Sequence, residues 1–245
     1  MRTQTHAFYH RRITAFLFLV FLVCASGFSQ QKENAYTKVA QQIGQDQVLV
    51  QGTPYTYNAR YDISHPYYNK DAFENGYIVL RNRKYESLKL KYDLFEQCIV
   101  VANSEHSTQF AYSPPEEYIS EFLIDSVLFK KLMLQDKQER FCQVVYENKI
   151  GCYYYWFKSR NESHHNGTFS AFNYHKQKRK SYLKISGIIY GFKSKKEFIE
   201  LFPEAKRETI KKYMSSNKIS LTKASEKEMS ELILFCENIL LGKSE

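Results

Sequence analysis

Residues 140–158 read RFCQVVYENKIGCYYYWFK, and the fold turns on how they are taken. Two apolar stretches flank the polar Glu147-Asn148-Lys149. β-Branched and aromatic residues that stop at a polar turn and then resume predict a β-hairpin, and Asn148 suits a turn position with positive φ. In an extended chain Tyr153, Tyr155 and Phe157 share one face, while Cys152, Tyr154, Trp156 and Lys158 share the other. Aromatic side chains dominate cores, so at least one of those faces is buried.

The same texture extends in both directions. Upstream, YIVLR runs into the turn NRK, and YESLKLKYD follows with Leu88, Leu90 and Tyr92 on one face. QCIVVA comes next, and Pro114-Pro115 mark a loop before EYISEFLID. Downstream, Asn166-Gly167 is a strong hairpin signal leading into TFSAFNY. After the basic turn KQKRK (176–180), YLKI, Ser186-Gly187 and IIYGF predict a third hairpin. Sequential hairpins need no crossover, so residues 77–192 are expected to form an antiparallel β-meander, curled or barrel-like. Residues 30–76 hold TKVAQQIGQ, a candidate short helix, and QVLVQG, a candidate strand, in an otherwise irregular segment whose Tyr- and Asn-rich part reads as loop with local strands.

The pattern changes at Lys193. Ser194 with Glu197, and Ser225 with Glu228, have the S-x-x-E spacing of a capping box. Pro203 can open a helix that runs to about Ser216 and stops at Asn217. Met229, Leu232, Phe235, Cys236, Ile239 and Leu240 recur at three and four, one apolar stripe, with Gly242 placed as a C-cap. Residues 193–245 are therefore expected to give two or three short helices packed on the sheet, and the fold class is α+β.

The first 29 residues have the order of a secretory signal. Arg2, Arg11 and Arg12 precede the apolar ITAFLFLVFLV, and small residues follow in CASGFSQ. Cleavage is expected after Ser29 or Gly27. Lipidation at Cys24 fits poorly, because the β-branched Val23 precedes it. No later stretch approaches the length of a membrane span, so the mature chain is expected in the periplasm or outside the cell. Removing the signal lowers the formal charge from +9 to +6. Residues 150–193 carry eight basic side chains against the single acid Glu162. Four cysteines remain, and Cys142 with Cys152 on adjacent strands are the first pair to consider for a disulfide, with buried free thiols as the alternative.

LKYDLF (90–95), VVYENK (144–149) and KSKKEFIELFPEAKRETIKKYMSSNKI (193–219) together resemble a group of small secreted proteins of Bacteroidota-type bacteria. Those proteins have an lkYDly strand, a vlyeGk hairpin and a lysine-rich helical tail. The resemblance covers most of the chain after Tyr77 and departs from the group at YENK, where a glycine is usual. It implies the meander, the tail and export, and it implies no reaction.

The chemistry that is absent narrows the function. No G-x-S-x-G, P-loop, G-x-G-x-x-G or H-E-x-x-H pattern appears, and no cofactor or metal is expected. His164-His165 beside Glu162 offer ligand types that suit zinc, but neighbours in a strand point opposite ways. Glu116-Glu117, with Asp62, Asp71 and Glu74, are the carboxylates from which a paired-acid site could be assembled.

Three function classes follow. The first is a non-catalytic cell-envelope protein that serves as an interaction or structural module. The second is a binder of a saccharide, a lipid headgroup or an anionic envelope polymer. Its candidate residues are Tyr153, Tyr155, Trp156, Lys158, Arg160, Lys176, Lys178, Arg179 and Lys180, because flat rings beside cationic donors take sugars and anions. Another envelope protein is a further possible partner, and the exported address argues against nucleic acid. The third is an enzyme with an unfamiliar site.

Overall fold

The computed structural model describes residues 52–56, 64–102, 111–165 and 169–242. The signal segment, TKVAQQIGQ, residues 47–51 of QVLVQG and Asp62 lie outside them.

Eleven strands form one antiparallel sheet. In chain order they are β1 (Thr53–Tyr55), β2 (Glu74–Leu80), β3 (Arg83–Tyr92), β4 (Ile99–Ala102), β5 (Ala111–Ser113), β6 (Ile119–Ile124), β7 (Val127–Met133), β8 (Glu139–Glu147), β9 (Gly151–Phe157), β12 (Lys178–Ile185) and β13 (Ile188–Phe192). Their order across the sheet is β1-β5-β4-β3-β2-β6-β7-β8-β9-β12-β13. Between β9 and β12, β10 (Arg160–His165) and β11 (Phe169–Tyr174) pair as a separate two-stranded ribbon. Its connection, which includes Asn166-Gly167, lies outside the described residues. Three helices end the chain: α1 (Lys195–Glu200), α2 (Glu204–Ser216) and α3 (Glu226–Leu240). The architecture is the expected α+β meander, curled but not closed into a barrel.

Two-residue turns set the register. Arg81-Asn82, Asp125-Ser126 and Ser186-Gly187 all hold positive φ at both positions. That geometry matches the right-handed twist of the strands they join. Gly187, at φ +83°, fills its position without strain. Gly76 is required for another reason, since a Cβ there would lie 2.0 Å from the Leu123 carbonyl oxygen. Opposite it the register slips between Gly76 and Ile78, and Ser87 at φ 59° takes up the extra residue. Within the segment read as loop with local strands, Thr53–Tyr55 and Glu74–Gly76 belong to strands of the same sheet. Asn148 has no positive φ; its amide instead donates to Glu237 at 2.7 Å.

The sheet curls far enough for the β3–β4 connection to meet the end of β9. Lys158 N–H donates to the Leu94 carbonyl at 3.0 Å, and Gln97 Nε2 donates to the Trp156 carbonyl at 3.1 Å. Rings fill the curl. Phe122 stacks on Phe129 at 4.8 Å, and Tyr92 lies edge-on to both. Edge-to-face pairs of this kind add about 0.5–1.5 kcal/mol each beyond the area they bury.

β9 is buried on both sides by different partners. The helical tail covers Ile150, Cys152 and Tyr154 with Phe198, Ile210, Met229, Leu232 and Cys236. Tyr153 and Tyr155 pack with Leu134, Cys142 and Tyr182. The Ser225–Glu228 capping box is fully formed, Ser194 caps α1, and Asn217 ends α2. Phe235 lies flat on Tyr213 at 3.8 Å and ties α3 to α2.

The Cys142–Cys152 bridge is not formed, and all four cysteines among the described residues are free. Gln143 stands opposite Tyr154, so Cys142 falls on the Tyr153 side while Cys152 lies under the helices. Strand alternation puts the sheet between the two sulfurs. Burial pushes the thiols of Cys98, Cys142 and Cys152 up to about 12.

Candidate functional site

The basic residues predicted to share one turn have different fates. Of residues 176–180, Lys176 and Gln177 lie between strands, and Lys178–Lys180 begin β12. Strand pairing places Lys178 opposite Phe157, Arg179 opposite Trp156 and Lys180 opposite Tyr155. Arg179 therefore faces the helices. Its guanidinium lies 4.0 Å from the Tyr154 ring centroid and donates to the carbonyls of Leu221 at 3.1 Å and Ala224 at 3.2 Å. It is a staple for the α2–α3 connection rather than a solvated cation.

That staple shapes a cleft of about 590 Å³. One wall is the start of β12, a second is Phe192-Lys193, and the third is the Leu221–Ala224 segment, with Trp156 and Phe157 as the aromatic part. Lys178, Lys180, Lys193 and Lys223 line it and are exposed. Among the described residues none of these four lysines has a carboxylate partner, and no carboxylate lines the cleft. Glu226 is the acid behind it, acting electrostatically on Tyr154. Trp156 is held in place by its indole N–H, which donates to Gln143 Oε1 at 2.7 Å.

The other candidates lie elsewhere. Lys158 donates to the His65 carbonyl at 2.8 Å, and burial holds its ammonium below the usual lysine range. Arg160 sits between the rings of Phe95 and Phe172, at 4.2 and 3.9 Å. Lys176 is exposed but does not line the cleft. Tyr153 is buried on the opposite face, where its hydroxyl donates to Glu147 at 2.9 Å.

Tyr155 borders a second cleft of about 570 Å³ with Gln97, Glu116, Glu117, Lys131 and Arg140. Burial, helped by the like charge of Glu117 and opposed by Lys131, pushes the Glu116 carboxyl up to about 7. The cations here are already committed. Lys131 donates to the Glu116 carbonyl, and Arg140 pairs with Asp136 and lies over Tyr155.

Sequence reasoning missed Lys193 and Lys223, which are distant in the chain and exposed like any surface lysine. No local signal marks them. Among the described residues no group of three or more His, Cys, Asp or Glu is placed to hold a metal, and no helix is long and apolar enough to cross a membrane. Comparison with protein families, with curated proteins and with solved structures finds no match to this chain.

Proposed function

We propose that the chain is exported and that its mature part is a non-catalytic interaction module of the cell envelope, which holds an anionic partner at the lysine-lined cleft. The observation that carries this reading is the set of four lysines, none with a carboxylate partner among the described residues, that line one concavity with no acid in its lining. Four like charges held together by a fold repel one another, and an anion relieves that repulsion. Low-dielectric walls of Trp156, Phe192 and Leu221 focus the field further. The acidic second cleft is a weaker candidate, because its lysine and arginine are already satisfied within the protein.

Two measurements test the reading. N-terminal sequencing of the exported protein should begin at Gln30 or Phe28, and an intact Met1 on the exported chain would refute processing. Retention of the mature protein on sulfated-dextran beads should be strong at about 0.05 M salt and lost at about 0.5 M, because the Debye length shrinks several-fold over that range. Replacing Lys178, Lys180, Lys193 and Lys223 by alanine should abolish retention, whereas replacing Lys195, Lys211, Lys212 and Lys227 on the helices should not. Equal retention of the two quadruple variants would refute the cleft as the site.

A further inference from the structure

Resting on the reading of the lysine cleft as an anion site, we propose that its partner is a polypeptide, an extended acidic segment that adds to the sheet as a short strand along the open edge of β12. The edge is a consequence of unequal strand lengths. β13 pairs with β12 only from Ser181 to Ile185, whereas β9 pairs from Lys178 onward. Lys178, Arg179 and Lys180 thus have a strand on one side only, and the cleft runs along the other.

Hydrogen-bond alternation shows which backbone groups face that side. The two-residue turn Ser186-Gly187 closes on Ile185 and Ile188, and in such hairpins the closing pair exchanges both of its bonds. Alternation then directs Ile185, Leu183 and Ser181 toward β13, and Lys184, Tyr182 and Lys180 toward β9. Continued by two residues, the same parity turns the N–H and C=O of Arg179 away from β9 and into the cleft. The opposing strand agrees, since the Trp156 carbonyl points away from Arg179 and accepts from Gln97 Nε2. The next residue of the same parity, Gln177, has its side chain engaged by Asn69, at 3.0 Å and 2.9 Å.

The cleft therefore presents one outward donor–acceptor pair on a strand, with exposed lysines beside it. An extended peptide supplies the matching amide pair, and its alternate side chains fall on one face. Acidic residues at those positions share the sheet face of Lys178 and Lys180, the face on which Lys180 lies over Phe157. A polysaccharide can answer the charges but has no strand-spaced amides. The lysines also bar a second copy of this chain, whose own edge would bring like charges together.

The test uses the full mature protein and three probes: a ten-residue peptide alternating Glu with Thr, the same peptide N-methylated at every second amide, and polygalacturonate of matched charge. Binding is followed by Trp156 fluorescence and by hydrogen exchange at the Arg179 amide. The parent peptide should bind at least about tenfold more tightly than its N-methylated form, the loss expected for roughly one hydrogen-bonded pair, and should protect the Arg179 N–H. If all three probes bind alike at low salt and that amide stays unprotected, the strand-addition proposal is wrong while the charge site stands. If none binds at low salt, both are wrong.

Discussion

Glu237 gives the most quantitative test of how the helical tail is held. It is a carboxylate only 3% exposed, on an otherwise apolar face of α3. One oxygen accepts from Asn148 Nδ2 at 2.7 Å and the other from the Ile150 amide at 3.1 Å, so it ties the helix to the β8–β9 turn. A hydrogen bond to a charged acceptor contributes about 1.5–3 kcal/mol, and a buried donor left without a partner costs about 1–3 kcal/mol. Ile150 is itself buried, so Glu237→Ala leaves its N–H unable to recover a bond from water. The expected loss is about 3–5 kcal/mol, or roughly 10 °C in Tm for a chain of this length. Glu237→Gln keeps one good acceptor and should lose about 1–2 kcal/mol. Urea unfolding read by the single tryptophan and by helical circular dichroism in parallel measures both. Asn148→Ala made in the Glu237→Ala background should add little, because its partner is already gone. A loss below about 1 kcal/mol for Glu237→Ala, or full additivity with Asn148→Ala, would refute the proposed tie.

Three further outcomes are expected. Arg179→Ala should lower stability by about 2–4 kcal/mol through two hydrogen bonds and the stack on Tyr154, whereas Lys180→Ala, exposed on the same strand, should stay within about 0.5 kcal/mol; similar losses in urea melts would contradict the staple. Glu116 holds its proton in the folded state up to about 7, above the ordinary glutamate value, so the folded chain binds more protons and stability should fall as pH rises from about 4.5 to about 7. Glu116→Gln should flatten that decline, and an unchanged profile of Tm against pH would rule the effect out. The Tyr154 hydroxyl is buried without a hydrogen-bond partner among the described residues, so Tyr154→Phe should be neutral or stabilising by up to about 1 kcal/mol. Tyr92→Phe, which loses a 2.7 Å bond to Gln97, should instead destabilise in the same thermal melt.

Much of the fold was legible because its signals are local. Alternation along YESLKLKYD, the Ser186-Gly187 turn and the Ser225–Glu228 capping box each lie within a few residues and act through backbone geometry close at hand. Turns without glycine were harder to place. Arg81-Asn82 and Asp125-Ser126 adopt positive φ because the strands on either side demand that twist, a demand the four turn residues do not encode alone. Asn148 shows the converse, where a residue suited to positive φ is used for its side chain because a helix many residues later offers it Glu237.

The sequence alone determined that residues 151–157 form a strand, that cations concentrate around it, and that a capped helical tail follows, since propensity, charge and capping are properties of neighbours in the chain. Which cations line one cleft was decided only by tertiary structure. Lys158 and Arg160 sit closest to the aromatic run, yet the curl of the sheet draws them onto a carbonyl and between two rings. Lys193 and Lys223 look unremarkable in the chain, yet β12–β13 pairing and the Arg179 staple bring their segments to the cleft that Lys178 and Lys180 also line. The sheet faces on which Cys142 of β8 and Cys152 of β9 fall were likewise settled by pairing register, because a shift of one residue exchanges every side chain between the faces of a sheet.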